Sequence, residues 1–495
     1  MTYIVASLVE RSVSGVSDSS RKAFREGADL VEVRLDHLRI PRFDAMTLSK
    51  VREAVRGPAI ATLRSSEEGG RSRLRGGARE KALRAVLGAG FEYVDLELQR
   101  DGRLLGELRR RDRKPSVIAS FHFGRPAAAK DVEKALTRAC KAGDFGKVAM
   151  PCEDAGQALM LASLGLRHSA AGDSFVLIGM GDQGQLTRVC ARQMGSSMVY
   201  CSLKGKPAAP GQLDIGSQSS LDNKDRFILG LLGHPVHHSV SKPMQEAALH
   251  GAGLAGTYLN LDLPPEALGR DTLKTFRRLG FSGINVTIPH KQKVHALCDH
   301  LDPEAVSTGA VNTVKFEGTH IHGKNTDIIG FMKAIEPKTH IGSDTEALVV
   351  GAGGAARAAA LGLARAGAHV TVAARDPKKG ARMAKEMGVE AMTTEALRRT
   401  KKAFHVVVNC TPLGTDGVGG AAPVPARLFK RGVVFFDMVY NPRVTRSMRF
   451  AAARKAKALG GLDMLVNQGA ESFRSWTGTE PDVDAMRAAA RRALS

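Results

Sequence analysis

The first 215 residues alternate short apolar segments with helix-like segments eight times. The candidate strands are TYIVASLV from Thr2, DLVEVRLD from Asp29, AIATLRS from Ala59, YVDLEL from Tyr93, SVIASFHF from Ser116, FGKVAMP from Phe145, SFVLIGMG from Ser174 and MVYCSL from Met198. Segments such as EKALRAVLGAG and DVEKALTRACKAG separate them. Eight β–α units in this length predict a closed (β/α)8 barrel, whose functional groups lie at the carboxyl ends of the strands. An open doubly wound sheet is the structural alternative.

Several of these strands carry polar side chains where a barrel interior should be apolar. Glu32 and Arg34 are two residues apart and share a face of one strand, as do Asp95 and Glu97. Further candidates in the strands or the turns after them are Arg64, His122, Lys147, Met180 and Arg188. Single charges could form structural ion pairs, but buried charge is costly unless it is paired. Their repetition at one end of strand after strand predicts a polar site.

The residue types at this site point to a chemistry. A lysine held among apolar neighbours, as Lys147 is in the sequence, can lose its proton and attack a carbonyl carbon. A histidine can move protons at neutral pH, and arginines bind carboxylates through paired hydrogen bonds. The set indicates Schiff-base chemistry on an acidic carbonyl compound.

Seven segments in one order make residues 1–215 resemble type I 3-dehydroquinate dehydratase: VEVRLD, ATLRSSEEGG, YVDLEL, ASFHFG, GKVAMP, IGMGDQGQLTR and APGQ. The resemblance implies that Lys147 forms an imine with the C3 ketone of 3-dehydroquinate. It implies that His122 removes the C2 proton and later protonates the leaving hydroxyl, with Glu32 orienting and tuning His122. It also implies substrate contacts from Arg34, Arg64, Met180, Arg188 and Gln212, the last on a closing loop. Ala208 stands in that loop where the family usually has Ser.

The stretch 347–375, ALVVGAGGAARAAALGLARAGAHVTVAAR, predicts a strand, a glycine turn, a helix and a second strand. Gly351 permits the tight turn, Gly353 lets a diphosphate approach the backbone, and Ala356 allows close packing of helix on strand. The free N–H groups at the helix start then face an anion. The stretch predicts a dinucleotide site formed by Gly351, Gly353, Gly354, Ala355 and Ala356.

The residues after the second strand bear on which dinucleotide binds. An NAD site usually has an acidic residue there for the ribose 2′-hydroxyl. Here Arg375 follows the strand, with Lys378 and Lys379 close behind, which favours a 2′-phosphate and hence NADP. The neighbouring Asp376 argues the other way.

Before this stretch lie candidate ligand contacts of a second kind. Ser239 and Ser241 are two apart in an extended loop and could face one ligand. Lys291 follows a strand that ends at Pro289 and stands in the first helical turn, where the helix dipole disfavours it. It is therefore either exposed or placed for a task. A predicted hairpin carries Asn312, Asn325, Thr326 and Asp327.

Residues 227–490 resemble shikimate dehydrogenase through HSVS, GINVTIPHK, GAVNT, GKNTD, GAGGAARA, VVNCTPLG, DMVYNPRVT and MLVNQGAESFRSWTG. The resemblance implies a catalytic pair, Lys291 and Asp327, in which the lysine gives a proton to the carbonyl oxygen as NADPH delivers hydride. It implies shikimate contacts from Ser239, Ser241, Thr287, Asn312, Tyr440 and Gln468. It implies that Asn409 and Thr411 line the nicotinamide side and that Arg375 holds the 2′-phosphate.

This half departs from the family pattern in two places. Gln245 and Glu246 stand where the family usually has His-Asn, and Ile328 replaces a common Gly. Such changes could shift specificity towards a related polyol such as quinate, whereas the retained serine pair favours shikimate.

The resemblances predict four segments and one linked activity. We expect a dehydratase barrel at 1–215, a Ser-rich linker at 216–226, a substrate-binding domain at 227–338 with C-terminal helices of 459–495 packing back, and an NADP-binding Rossmann domain at 339–458. Dehydration of 3-dehydroquinate gives 3-dehydroshikimate, whose reduction gives shikimate, so a bifunctional enzyme is expected. The alternatives are a catabolic quinate or shikimate dehydrogenase that uses NAD and a non-catalytic regulatory homologue.

Composition weighs against other partners. The net charge is 72 − 50 = +22, but Lys and Arg are spread along the chain and five Tyr and one Trp offer little base-stacking surface, so no nucleic acid is expected. No apolar run approaches the length of a membrane span, and the six cysteines form no regular framework, which predicts a cytoplasmic protein. No metal is expected, because His234, His237 and His238 lack a second ligand motif. A homo-oligomer is possible.

Overall fold

The computed structural model describes residues 2–108, 115–221, 225–237, 239–418 and 422–494. The chain divides into two compact units. One comprises Met1–Arg226 with Leu261–Gly280, and the other comprises Phe227–Asn260 with Phe281–Ser495. Within the described ranges, no helix combines the length and apolar character needed to cross a membrane.

Eight parallel strands form the first unit. They are β1 Tyr3–Leu8, β2 Leu30–Arg34, β3 Ala59–Thr62, β4 Tyr93–Glu97, β5 Ser116–His122, β6 Phe145–Pro151, β7 Phe175–Met180 and β8 Met198–Cys201. Their order is β7-β6-β5-β4-β3-β2-β1-β8. The N–H of Ser197, just before β8, donates to the carbonyl of Phe175 on β7 at 2.7 Å and brings the two ends of this order together. The predicted (β/α)8 barrel is confirmed, and the open sheet is wrong.

Helices surround these strands. They are α1 Val13–Arg25, α2 Ala45–Glu53, α3 Gly76–Leu87, α4 Gly102–Leu108, α5 Ala129–Ala142, α6 Ala155–Ala170, α7 Gln185–Val189, α8 Ala191–Met194 and α9 Ile215–Ser220. Polar caps start several of them; the Asp154 side chain, for example, accepts from the N–H of Gln157 at the start of α6. One apolar cluster, with Val5, Ile60 and Ile118, fills the barrel interior, and a larger one lies between strands and helices. These two apolar clusters hold the strands in place, and with them the side chains at the strand ends.

The predicted linker at 216–226 is partly wrong, because α9 begins inside it. Asp214 caps this helix by accepting from the N–H of Ser217, Ile215 is fully buried, and the Gln218 side chain donates to the carbonyl of Arg188 at 3.3 Å. The Ser-rich composition gave no indication of this helix, which contacts the barrel through the buried side chain of Ile215 and the hydrogen bond from Gln218. Residues 222–224 of this segment lie outside the described part of the chain.

The second unit contains two six-stranded sheets. Their strands are β9 Phe227–Gly233, β10 Gly256–Asp262, β11 Phe281–Val286, β12 His300–Leu301, β13 Thr313–Glu317, β14 His320–Lys324, β15 Glu346–Val350, β16 His369–Ala374, β17 Glu390–Thr393, β18 Val406–Asn409, β19 Val434–Asp437 and β20 Lys457–Gly460. The helices that follow α9 are α10 Ser241–Gly251, α11 Arg270–Arg278, α12 Lys291–His295, α13 Pro303–Thr308, α14 Asp327–Ile335, α15 Gly354–Arg365, α16 Pro377–Met387, α17 Thr394–Arg399, α18 Arg446–Ala453, α19 Leu462–Thr477 and α20 Val483–Ala493.

The two sheets differ in character. The first is mixed, in the order β10-β9-β11-β13-β14-β12. The second is parallel, in the order β17-β16-β15-β18-β19-β20. That is the strand order of a dinucleotide-binding Rossmann sheet, which binds ligands where the order reverses, between β15 and β18. The predicted Rossmann fold is confirmed.

Two boundaries differ from the sequence analysis. The end set at 458 cuts through β20, which runs to Gly460. Leu261–Gly280, which includes α11, belongs to the first compact unit, although the sequence placed it in the second half. There the side-chain oxygen of Gln183 accepts from the N–H of Asp262 at 3.0 Å. The composition of Leu261–Gly280 does not indicate which unit the segment belongs to, because it is an ordinary amphipathic stretch.

Helix α19, the first of the two C-terminal helices, packs against the mixed sheet. Val466, Phe473 and Trp476 belong to one buried cluster with residues of β9, and the indole N–H of Trp476 donates to the carbonyl of Val314 at 2.9 Å. A Cβ atom at Gly283 would lie 2.1 Å from the indole nitrogen. The sheet and the helix can therefore approach only because position 283 is glycine.

Gly283→Ala should destabilise the second unit by about 2–3 kcal/mol, because the added methyl overpacks a rigid contact. Denaturant unfolding followed by the fluorescence of Trp476, the single tryptophan, measures this directly. Gly106→Ala in α4 is the matched control, since its Cβ would meet nothing within 4 Å. An unchanged midpoint for Gly283→Ala would show that α19 can move away from the sheet at no cost.

Candidate active sites

A cavity of about 320 Å³ lies at the carboxyl ends of the barrel strands. The sequence-predicted residues Glu32, Arg34, Arg64, His122, Lys147, Met180, Arg188 and Gln212 all line it. They come from six strands or the turns that follow them, so barrel closure brings together residues that are far apart in sequence.

Lys147 occupies the polar centre of this cavity. It is 3% exposed, and its Nζ lies 3.0 Å from Oδ2 of Asp95 and 3.8 Å from Oε1 of Glu32. The same nitrogen lies 3.8 Å from the centroid of the Tyr200 ring. The apolar surroundings expected from the sequence are therefore wrong: the flanking residues in the chain point away, and the neighbours in space carry charge.

In the structure, His122 contacts Glu68, whereas the sequence predicted Glu32 as its partner. Nδ1 of His122 lies 2.9 Å from Oε2 of Glu68. Glu32 instead accepts from the hydroxyls of Ser7 at 2.8 Å and Thr62 at 2.9 Å. The predicted role of Glu32 in orienting His122 is therefore wrong. Glu68 lies in a short 3-10 turn after β3, and its nearness to β5 depends on the barrel.

Burial sets the protonation of this pair. It lowers the pKa of His122 well below its usual value, and the charges of Arg64 and Lys147 act in the same direction. Burial raises the pKa of Glu68 to about 7, although Arg64 opposes the rise. At neutral pH His122 is thus a neutral imidazole, ready to accept a proton. An ionised Glu68 fixes the hydrogen on Nδ1 and leaves Nε2 as the base.

The three predicted arginines differ in their partners. Arg34 forms two hydrogen bonds with Asp36, at 2.9 and 2.8 Å. Arg64 donates to Asp95 at 2.7 Å and also lies 3.3 Å from both Glu68 and Glu97, so its guanidinium is already surrounded by carboxylates. These carboxylates already balance the charge of Arg64, whose predicted contact with the substrate stays a prediction.

Arg188 has no carboxylate partner among the described residues. It is 3% exposed, donates to the carbonyl of Tyr200 at 3.0 Å, and its buried Nε has no hydrogen-bond partner. Burial lowers the pKa of Arg188 to about 10, which leaves it charged at neutral pH. An uncompensated buried charge at the cavity wall favours an anionic ligand.

The loop at one side of the cavity carries the remaining predicted residue. The side-chain oxygen of Gln212 accepts from the N–H of Ala208 at 2.8 Å, and its amide nitrogen lies 3.4 Å from the hydroxyl of Ser7. The backbone at Ala208 thus makes a contact that does not depend on a serine hydroxyl. Met180, at the end of β7, adds an apolar surface.

A second cavity, of about 420 Å³, lies in the second unit. Its lining includes the sequence-predicted residues Ser239, Ser241, Thr287, Lys291, Asn312, Asp327, Gly353, Gly354, Ala355, Tyr440 and Gln468. Residues from the mixed sheet, the glycine loop and α19 therefore face one space.

The predicted catalytic pair is formed. Nζ of Lys291 lies 2.5 Å from Oδ2 of Asp327, and the other oxygen of Asp327 accepts from the amide of Asn312 at 2.8 Å. That amide nitrogen also lies 3.3 Å from the side-chain oxygen of Gln468. Both carboxylate oxygens are thus held, and the lysine reaches the cavity from the first turn of α12.

The serine pair lies on another wall. The hydroxyl of Ser239 donates to that of Ser241 at 3.0 Å and also accepts from the N–H of Ser241 at 3.1 Å. Tyr440 is half-buried, and burial raises the pKa of its phenol. Ser239 and Ser241 can turn their hydroxyls to a carboxylate that enters the cavity.

The glycine loop has the features that a diphosphate needs. Gly351 has φ +128°, a conformation that favours glycine, and Ala356 is fully buried in the first turn of α15. A Cβ at Gly353 would meet nothing within 4 Å, so the loop backbone faces open space. At Gly354 a Cβ would lie 3.6 Å from Cδ of Lys291, which places the loop beside that lysine. The residues fit a bound dinucleotide.

The conflict between Arg375 and Asp376 has a structural answer. Asp376 caps α16, and its Oδ1 accepts from the N–H groups of Lys378 at 3.0 Å and Lys379 at 3.2 Å. Arg375 is exposed at the end of β16. The acidic group therefore serves the helix, while the guanidinium is available to a phosphate.

The predicted roles of Asn409 and Thr411 are not supported. Asn409 is fully buried, donates to Asp437 at 2.8 Å and accepts from the N–H and hydroxyl of Thr411 at 3.0 and 2.7 Å. These contacts hold the loop after β18. Between the two residues, Cys410 lines the cavity instead.

Sequence reasoning missed several residues of these sites. Glu68 lies in the quoted segment ATLRSSEEGG, four residues after Arg64, but one sequence offers no means to choose between its two glutamates. Asn285 lines the second cavity from the end of β11. A third group, Cys140, His168 and Asp173, brings ligand atoms within 4.8 Å of one another in the first unit. His238, part of the histidine cluster considered above, lies outside the described residues.

Known families match both halves of the chain. The model of type I 3-dehydroquinase matches residues 4–220, and that of the shikimate dehydrogenase substrate binding domain matches residues 231–314. The shikimate / quinate 5-dehydrogenase model matches residues 336–443, and the shikimate 5′-dehydrogenase C-terminal domain matches residues 461–491. Shikimate dehydrogenase (NADP(+)) of Archaeoglobus fulgidus is 44% identical over 271 residues, which are 54% of this chain and 98% of that protein. The chain belongs to the shikimate dehydrogenase family.

The similarity to known proteins also extends over both halves of the chain together. The chloroplastic bifunctional 3-dehydroquinate dehydratase/shikimate dehydrogenase of Arabidopsis thaliana is 29% identical over 507 residues, covering 96% of this chain and 82% of that protein. The crystal structure of shikimate 5-dehydrogenase from Thermus thermophilus in complex with NADP(H) and shikimate has a TM-score of 0.50 and 42% identity, covering 54% of this chain and all of that one. The resemblance predicted for each half is confirmed.

Glu68 should give the barrel reaction a pH dependence centred near 7. Raising the pH through this value ionises Glu68 and places the base on Nε2 of His122, so kcat should rise. Glu68→Gln keeps an acceptor for Nδ1 but cannot ionise. Its kcat should be at least about tenfold lower and should lack that inflection. The dehydrogenase kcat of the same variant is the control. An inflection that persists in Glu68→Gln would assign it to another group.

Proposed function

We propose that this chain catalyses two consecutive reactions. The barrel dehydrates 3-dehydroquinate to 3-dehydroshikimate, and the second unit reduces 3-dehydroshikimate to shikimate with NADPH. The observation that carries the proposal is the coexistence of two complete sets of reacting groups. Lys147 and His122 share one cavity, and Lys291 and Asp327 share another with the glycine loop.

The barrel residues account for each step of the dehydration. Lys147 attacks the C3 carbonyl, whose oxygen leaves as water when the imine forms. His122 takes the C2 proton and returns it to the departing hydroxyl, which leaves as water. Hydrolysis of the imine then consumes one water and frees Lys147. Arg188 supplies the positive charge for the substrate carboxylate, because the described residues give it no carboxylate of its own.

The second site carries out the reduction. Lys291 gives its proton to the carbonyl oxygen as that carbon becomes an alcohol, and Asp327 holds both the lysine and the reacting oxygen. Ser239 and Ser241 bind the carboxylate, and Asn312 and Gln468 bind ring hydroxyls. NADPH supplies the hydride when it is bound. Gly351, Gly353 and the start of α15 are suited to hold its diphosphate, and Arg375 its 2′-phosphate.

Experiments can distinguish this proposal from two alternatives. A catabolic enzyme would oxidise quinate with NAD more efficiently than shikimate with NADP, which a comparison of kcat/KM decides. The cap formed by Asp376 favours NADP, since it removes the acidic group that an NAD site would use. A regulatory homologue should have lost reacting groups, whereas this chain has Lys147, His122, Lys291 and Asp327. The proposal also includes a cytoplasmic location, since no disulfide joins any of the six cysteines.

Reciprocal variants test the two sites in one chain. In the coupled assay, 3-dehydroquinate and NADPH together should give NADPH oxidation with the wild-type protein. Lys147→Ala should abolish it and retain reduction of added 3-dehydroshikimate. Lys291→Ala should retain the dehydration and lower the dehydrogenase kcat by about 10²-fold or more.

Borohydride with 3-dehydroquinate tests the imine, because reduction should attach substrate covalently to the wild-type barrel alone. Covalent labelling of Lys147→Ala would move the imine to another lysine. A near-wild-type kcat for Lys291→Ala would remove this residue from the proton transfer.

Arg375→Ser tests the basis of cofactor choice. Loss of the guanidinium should raise KM for NADPH by about tenfold or more and leave KM for NADH within about twofold, because only NADPH carries the 2′-phosphate. Steady-state kinetics at fixed 3-dehydroshikimate measure both. The matched control is Arg399→Ser in α17, an exposed arginine that pairs with Glu395 on the same helix. Equal loss with both cofactors would contradict the assignment.

A further inference from the structure

Three side chains with metal-binding atoms meet at the amino-terminal ends of the barrel strands β6 and β7. Cys140 lies in the last turn of α5, His168 in the last turn of α6, and Asp173 in the turn that leads into β7. A sulfur, an imidazole nitrogen and a carboxylate oxygen from these residues all lie within 4.8 Å of one another. The cavity of Lys147 lies at the opposite ends of the strands, so the proposed dehydration does not use this group.

The backbone of the turn between α6 and β7 positions two of the three donors. The N–H groups of Ala171 and Asp173 both donate to the carbonyl of His168, each at 3.1 Å. The chain thereby folds back over the end of α6, and Oδ2 of Asp173 lies 2.7 Å from Nδ1 of His168. The turn therefore holds a carboxylate and an imidazole side by side.

The thiol of Cys140 reaches the same turn from α5. Its Sγ lies 3.8 Å from the carbonyl oxygen of Ser174, which also accepts from the N–H of Gly146 at 3.0 Å. A Cβ atom at Gly146 would lie 2.6 Å from this sulfur. Glycine at the start of β6 therefore leaves the space in which the thiol approaches the other two donors.

The three donors differ in burial in a way that suits a bound cation. The side chain of His168 is 10% exposed, and the ring of Phe175 packs near it, with 6.1 Å between the two ring centroids. Cys140 is half-buried, and the side chain of Asp173 is 38% exposed. An ion can therefore enter from solvent beside the carboxylate and bind against a fixed imidazole.

The donor set selects the class of cation. Thiolate and imidazole ligands favour zinc and similar divalent ions, whereas Mg²⁺ and Ca²⁺ prefer oxygen ligands. Burial raises the pKa of Cys140 to about 11, so a bound ion has to displace the thiol proton, which passes to solvent. A thiolate, a carboxylate and a divalent cation then carry no net charge, which limits the cost of burying them.

The spacing of the donors is close to what zinc requires. Zinc bonds of about 2.3 Å to sulfur and about 2.0 Å to nitrogen place tetrahedral ligand atoms about 3–4 Å apart, so the group has to contract by about 1 Å. The donors lie at the ends of two helices and in a turn, where a movement of this size leaves the barrel strands in place.

We propose that Cys140, His168 and Asp173 form a zinc site that joins the ends of α5 and α6 to the turn before β7. Three protein ligands leave the fourth tetrahedral position to water. The site requires neither substrate nor NADPH, so its test is independent of the proposed function. No local motif predicts it, because β6 and most of α6 separate Cys140 from the other two residues.

Cobalt(II) tests the site in the full chain, because it occupies zinc sites and its bond to a thiolate gives a charge-transfer absorption in the near ultraviolet. Wild-type protein freed of metal by a chelator should bind a single Co²⁺ with this absorption, and added Zn²⁺ should remove it. Excess Mg²⁺ should not. Cys140→Ser should abolish the absorption. Absence of the absorption from wild-type protein overturns the proposal.

Competition with a chromophoric chelator measures the Zn²⁺ affinity of the other two ligand variants. Loss of even an outer partner of a metal ligand costs about 10- to 100-fold in affinity, so His168→Gln and Asp173→Asn should each weaken Zn²⁺ binding by about tenfold or more. Asp173→Asn changes a partly exposed side chain and stays informative should Cys140→Ser not fold. An unchanged Zn²⁺ affinity in Asp173→Asn overturns the three-ligand site.

A second group of imidazoles in the other unit supplies the matched controls. The ring centroid of His300 lies 5.1 Å from that of His320 and 4.9 Å from that of His322, and Cys298 is a half-buried thiol near them in the chain. Cys298→Ser and His320→Ala should leave the cobalt absorption and the Zn²⁺ affinity within about twofold of wild type. An absorption that is lost in Cys298→Ser and kept in Cys140→Ser would place the metal there instead and overturn the proposal.

Discussion

Buried charge at the mouth of the barrel is the constraint on which the first half depends. Burial alone would raise the pKa of Asp95, but Arg64 and Lys147 outweigh it and hold that pKa well below its usual value. The carboxylate is therefore ionised, and it joins the two cations in one network. Removing Asp95 would take away the nearest carboxylate of both buried cations, and breaking a buried ion pair in this way is strongly destabilising. The ion network thus keeps a reactive lysine in a closed apolar barrel.

Elsewhere in the same cavity, one charge is left uncompensated and one acid titrates near neutrality. Arg188 has no anion among its described neighbours, and burial, together with the charges of Glu97 and Asp95, raises the pKa of Glu68 to about 7. Both features cost stability in the free protein. On the proposed function, an anionic substrate would satisfy the charge of Arg188, and the ionisation of Glu68 would govern the tautomer of His122. The barrel therefore supports its chemistry through charges that only the substrate completes.

Local motifs in the sequence predicted most of the fold. What they could not predict depends on contacts between residues that are far apart in the chain. The alternation of strands and helices up to residue 215 and the glycine turn at Gly351 each have a local signature, so the barrel and the Rossmann sheet could be predicted. Most candidate lining residues of the barrel also lie in a strand or just after one. The partner of His122 could not be predicted, because Glu68 reaches it only through barrel closure. The buried contact of Asn409 could not be predicted for the same reason, since its partner Asp437 lies 28 residues away on β19. The helix α9 was missed because its two contacts with the barrel, through Ile215 and Gln218, leave no recognisable pattern in a polar segment.

The two sites use different physical means to prepare their reacting groups. In the barrel, Lys147 and His122 are set by full charges and by a carboxylic acid that titrates. In the second unit, one ion pair, Lys291 and Asp327, is held by neutral amides and hydroxyls. Hydrogen bonds between neutral groups change little with pH, whereas the barrel network changes with the ionisation of Glu68. Over the neutral range, the ionisation of Glu68 should therefore give the combined sequence a pH response that originates in its first step.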